Sequence, residues 1–140
     1  MQNRKIISEI LYWIVVVASL LLGSTYLFGS QFMPYHSAAV GLGWSGLEEG
    51  MQTLLLALMR VAGGGWIALA ASISALLIFA FRRDARWAYW AIPAIALIYY
   101  TPNLYATILV TVETPAVAPW YGNAAAIVSS IAAFFVSLPA

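Results

Sequence analysis

VAGGGWIALAASISALLIFAFRRDAR, residues 61–86, is the stretch on which the fold turns. An α-helix rises about 1.5 Å per residue and a bilayer's hydrocarbon core is about 30 Å thick, so about 20 apolar residues cross it. Residues 61–81 meet that length without a single charged side chain, and Arg82, Arg83, Asp84 and Arg86 then close the run. Working outward, three more charge-free stretches lie at residues 10–28, 87–112 and 120–138. They are separated by a long polar-flecked loop (29–50), the charged turn at 82–86 and a proline-marked turn at 114–119.

Barrel strands would alternate polar and apolar residues over about ten positions, whereas these runs are continuously apolar and rich in Ala, Leu and Ile. The expected fold class is therefore an all-α integral membrane protein, a single four-helix transmembrane domain over residues 1–140. Composition agrees. Of 140 residues 64% are hydrophobic and 8% charged, and the mean hydropathy is +0.90; a soluble domain carries about 25% charged residues. A net charge of +1 cannot build the basic stripe that nucleic acid requires, so no nucleic-acid partner is expected. Zero cysteines exclude disulfides, thiolate metal sites and thiol redox chemistry. Arg4 and Lys5 precede the first run as they would in a signal peptide. That run is long for one, however, and Tyr26-Leu27-Phe28 is not a small-residue cleavage site, so it reads as a permanent helix.

Five of the six cations, Arg4, Lys5, Arg82, Arg83 and Arg86, fall on one side of such a bundle. Cations are retained on the cytoplasmic face. Both termini are then cytoplasmic, the loop between helices one and two lies outside, and the chain is a multi-pass protein of the bacterial inner membrane. Trp87, Tyr89 and Trp90 suit the inner interface, and Trp44, Trp120 and Tyr121 the outer one. The apolar spacing of Leu47, Met51, Leu54, Leu55 and Leu58, with Glu48 and Glu49 at its start, predicts a helical lead-in to helix two.

Helices in lipid associate by close backbone approach, which marks small residues as packing candidates. They are Gly63, Gly64 and Gly65 in helix two, and Ala125, Ser129 and Ala133 at a four-residue interval in helix four. In helix three Pro102 is expected to kink the helix and free a carbonyl.

Arg60 is costly at membrane depth unless it pairs or snorkels. Counting from Arg82 places it roughly 33 Å up. The same count from Arg86 places Asn103 roughly 26 Å and Glu113 roughly 40 Å up, so an Arg60 to Glu113 pair above Asn103 is reasonable, with snorkelling as the alternative. Tyr99, Tyr100 and Tyr105 would line a groove there. His36, the only histidine, reads as a loop-stabilising or interfacial residue. No metal site and no cofactor are expected. A Ser-His-Asp set, HExxH, a Walker loop and a dinucleotide fingerprint are all missing, so no catalytic residues are assigned and the chain does not read as an enzyme.

With Arg60-Val61-Ala62-Gly63-Gly64 opening helix two and Phe81-Arg82-Arg83 closing it, the chain resembles the small uncharacterised four-helix membrane proteins of bacteria grouped loosely with the DoxX-like proteins. The resemblance implies fold and location more than activity. The leading functional expectation is a structural or accessory membrane protein whose partners are the bilayer and either further copies of itself or a larger membrane complex. The alternative is a binder of a lipophilic small molecule, a quinone or lipid, in an outer groove near Arg60. Transport of a small anion past Arg60 ranks third, because helices one and four supply no polar path.

Overall fold

The computed structural model describes residues 2–138, and among them the regular structure is helical throughout. The elements are α1 (Gln2–Phe28), α2 (Pro34–Val40), a short 3-10 turn (Trp44–Gly46), α3 (Glu49–Leu76) continued by a π turn (Leu77–Phe81), α4 (Ala88–Glu113) and α5 (Trp120–Ser137). Four of these, α1, α3 with its π turn, α4 and α5, are long and apolar enough to cross a membrane. The four runs of the sequence thus become four helices, with bounds that differ where charge was taken as an end. α1 begins at Gln2, eight residues before its apolar run, because Asn3, Arg4, Lys5 and Glu9 interrupt hydropathy without interrupting the backbone hydrogen-bond ladder. The lead-in to helix two is one continuous helix with the span. Its 33 residues reach about 50 Å, well beyond the thickness of a hydrocarbon core. The loop expected at 29–50 is itself largely structured by α2 and the 3-10 turn.

α1 packs along α3, and α5 lies against both α1 and α4. Tyr12, Val15, Val16, Trp66, Ile73, Ile92, Ala96, Tyr100, Ala126 and Ala133 form the core between them. The crossing of α1 and α3 is set by glycine. A Cβ built on Gly63 would lie 2.5 Å from the Leu27 nitrogen and 2.8 Å from the Gly23 carbonyl oxygen, and one on Gly23 would meet Gly63 O at 3.0 Å. The three glycines of α3 therefore do three different things. Gly63 meets the backbone of α1, a Cβ on Gly65 would meet the Tyr99 hydroxyl at 2.7 Å, and Gly64 has open space beside it.

On α5 the inward residues are Asn123, Ala126, Ser130 and Ala133. Of the expected stripe only Ala133 is buried; Ser129 is half-buried and Ala125 exposed. A four-residue interval advances about 400° and so drifts about 40° per step around the helix, whereas the 3-4-3 spacing of the inward set averages close to the helical repeat. α4 runs unbroken through Pro93 and Pro102.

Polar groups in the bundle are mostly satisfied within their own helix. The hydroxyls of Ser19, Ser74, Thr107, Thr111 and Ser130 each donate to the carbonyl four residues earlier, at 2.7 to 2.9 Å. Bonds that cross between helices include Ser8 Oγ donating to Ala133 O at 2.7 Å and the Ser19 and Tyr100 hydroxyls sharing a bond of 2.8 Å. At the end of the bundle that carries residue 2, Lys5 pairs with Asp84 at 2.6 Å and Arg82 with Glu9 at 2.5 Å, which ties α1 to the α3–α4 turn. Asp84 holds the turn with a left-handed φ of 58°, a conformation short polar side chains tolerate. Its exposed carboxyl is held below the usual range by the hydrogen bonds from Lys5 and Tyr89.

Gly63→Ala should lower the stability of the detergent-solubilised protein by about 1 to 3 kcal/mol, the range for overpacking. Gly64→Ala should be neutral or gain up to about 1 kcal/mol from helix propensity. Equal thermal midpoints for the two variants would show that the α1–α3 distance is not fixed at Gly63.

Candidate functional site

The sequence placed a site around Arg60, and the structure disperses it. Arg60 and Glu113 are both exposed, and neither takes part in an ion pair among the described residues. The reason is azimuth. Met59, Gly63, Trp66 and Ala70 form the buried face of α3, which turns Arg60 and Val61 outward. Tyr105 also faces out. Tyr99 and Tyr100 serve packing: the Tyr99 hydroxyl donates to Ala62 O at 3.0 Å, and Tyr100 is fully buried on Ser19 and Trp66. Asn103 alone reaches a cavity, with its Nδ2 donating to Tyr99 O at 2.7 Å.

That cavity, of about 490 Å³, opens where α1, α2, α3, α4 and α5 meet. Leu22 and Trp66 form part of an apolar wall; the polar groups include Tyr26, Tyr35 and His36 on one side and Asn103, Thr107 and Asn123 on the other. No Lys, Arg, Asp or Glu lines it. Two local structures place these groups. α2 starts on Pro34, and the His36 imidazole reaches back so that Nδ1 accepts the Met33 N–H at 3.2 Å, a helix-start bond. The Tyr26 and Tyr35 hydroxyls are bonded to each other at 2.5 Å, which fastens α2 to the end of α1. On the far side, Thr114 Oγ1 accepts the Ala116 N–H at 3.2 Å and Thr111 Oγ1 the Ala118 N–H at 3.1 Å. The proline-marked turn thereby delivers α5 beside α4.

Asn123 is the residue the sequence reading missed. It is 6% exposed, its Nδ2 donates to Thr107 Oγ1 at 3.2 Å, and its Oδ1 has no partner. The assignment of N and O follows from Thr107, whose hydroxyl hydrogen is committed to the carbonyls of Asn103 and Leu104 at 2.9 and 3.0 Å, so it can only accept from Asn123. A buried acceptor left unpaired costs about 1 to 3 kcal/mol. The signal available in the sequence was a carboxamide one turn into an otherwise apolar helix.

Burial lowers the pKa of His36 from its ordinary value, and burial together with the Tyr26 bond raises that of Tyr35. With Nδ1 accepting from the backbone, neutral His36 carries its proton on Nε2, which gives the site a donor. The arrangement offers an apolar slot with an unfilled acceptor and uncharged polar neighbours. It fits a neutral amphiphile and gives an anionic head no counter-charge. Among the described residues no three His, Asp or Glu side chains come together as a metal-binding group would. None of the family models, curated proteins or solved structures compared with the chain matches it.

A pH dependence follows from His36. As pH falls below about 6.5 the unfolded chain takes up its histidine proton before the folded one does, so stability present above that pH is lost on acidification. The thermal midpoint of the wild type should fall between pH 7.5 and pH 5, and that of His36→Gln should fall less. Parallel curves would remove His36 as the cause.

Proposed function

We propose that the protein is a non-catalytic, multi-pass protein of the bacterial inner membrane that holds an uncharged lipophilic small molecule, of the quinone or neutral-lipid kind, in the cavity beside Asn123. The observation that carries this reading is the buried, half-satisfied carboxamide on the wall of a cavity lined by no charged side chain. A ligand whose head donates to Asn123 Oδ1 and whose body fills the slot against Trp66 offsets the cost of that orphaned acceptor. The site differs from the Arg60 groove expected from sequence, and shares only Asn103 with it. Both termini are read as cytoplasmic, from the same cation partition. The cavity then lies toward the outer leaflet, since Tyr26 is near the far end of α1 and Asn123 near the start of α5.

A second reading, a structural or accessory subunit, rests on the exposed part of the α5 stripe. Ala125 turns outward, where a small residue leaves room for close approach by a helix of another copy or of a larger complex. The DoxX-like resemblance is compatible with either reading.

Organic extraction of protein purified in mild detergent separates them. A stoichiometric neutral amphiphile in the wild type, reduced roughly tenfold (about 1.4 kcal/mol) in Asn123→Leu or in Ala106→Phe, at a residue of α4 that also lines the cavity, supports the binder. A ligand-free wild type that purifies as a defined complex supports the accessory subunit. For orientation, a reporter fused after Ala140 should be active in the cytoplasm; activity only outside would reverse the assignment.

A further inference from the structure

A larger cavity, of about 870 Å³, lies at the opposite end of the bundle, among the first turns of α1, the last turn of α5 and the α3–α4 turn. Arg4, Lys5 and Arg86 line it together with one carboxylate, Asp84. These charges are unequally committed. Lys5 is 2.6 Å from Asp84, and Asp84 also accepts from Tyr89 at 3.0 Å. Arg4 spends a single long bond, 3.5 Å, on Phe135 O, and the Arg86 side chain makes no hydrogen bond or ion pair among the described residues. Two guanidinium groups, each with five donors in a planar fork, thus border one cavity with nearly all their donors unused.

We propose that this cavity seats the phosphate headgroup of an anionic phospholipid. Three features select that occupant. Arginine forks match phosphate oxygens in paired, charge-assisted bonds. Besides Gln2, Tyr89 and Ser137 the rest of the lining is apolar: Trp90, 63% exposed and tilted against Phe134 with ring centroids 4.6 Å apart, stands with Val136 and Leu138, so a ligand with an acyl chain is served where a free phosphate is not. A zwitterionic lipid would bring an ammonium in need of a carboxylate, and the one carboxylate among the described residues of the lining is already paired with Lys5. The site is independent of the cavity at Asn123.

The test uses the full chain in detergent, titrated separately with phosphatidylglycerol, phosphatidylcholine and inorganic phosphate, with binding read by native mass spectrometry and by thermal shift. Phosphatidylglycerol should bind roughly tenfold more tightly than phosphatidylcholine, the scale of one charge-assisted contact, and Arg4→Gln with Arg86→Gln should abolish that preference. Arg83→Gln, at an exposed arginine outside the cavity, should retain it. If the double glutamine variant does not fold, Arg4→Lys with Arg86→Lys keeps the charges and should still weaken the preference several-fold; an unchanged preference overturns the proposal. Equal binding of the two lipids overturns it too, as does an equal loss in Arg83→Gln, which would mean diffuse attraction to surface charge. Displacement of the lipid by millimolar inorganic phosphate would make the site one for free anions and would likewise overturn it.

Discussion

The approach of α1 to α3 at Gly23 and Gly63 is the constraint on which the other contacts depend. Helices in lipid gain little from hiding apolar side chains from one another, because the lipid is as apolar as they are. What they gain is van der Waals contact, which falls off within fractions of an ångström. With no side chain at either glycine the two backbones touch, and that contact sets how Trp66 reaches Tyr99 and Tyr100 on α4, with ring centroids 4.9 Å from each. Tyr100 in turn meets Ser19, returning the contact to α1. α5 completes the bundle against a surface already defined.

Two cavities remain where that packing relaxes. Each lies near an end of the spans, where helices diverge into turns and side chains change from apolar to polar. Their linings are opposite in kind. One is uncharged and holds an unsatisfied carboxamide; the other is bordered by arginines whose donors are unspent. A chain with 8% charged residues places three of its six cations around one of these cavities and keeps all of them out of the other.

The four spans were legible in the sequence because crossing a bilayer demands an unbroken apolar run, and such runs survive any detail of packing. Helix ends were less so: charge marks where the membrane stops, while the helix runs on until the backbone is interrupted, as α4 is after Glu113, just before Thr114 and Pro115. The residues expected around Arg60 do not come together for a different reason. Counting residues along a helix gives height, which set Arg60, Asn103 and Glu113 at similar levels, but the direction a side chain faces depends on which stripe becomes the core. Met59 and Gly63 claimed that stripe on α3, and Arg60 went outward with Val61. Asn123 was invisible to motif reasoning because its importance lies in a bond it lacks.

The hydroxyls that fold back on their own helices bear on how such a bundle can be assembled. Ser19, Ser74, Thr107, Thr111 and Ser130 need no neighbour, so these hydroxyls enter the membrane with their polarity already concealed. Asn123 is different. Unlike Asn103, whose Nδ2 donates to Tyr99 O within α4, it makes no bond within its own helix, and a lone α5 would carry it into hydrocarbon bare. Docking on Thr107 relieves half of that exposure, which gives α5 a polar incentive to find its place beside α4, and to find it in a single register.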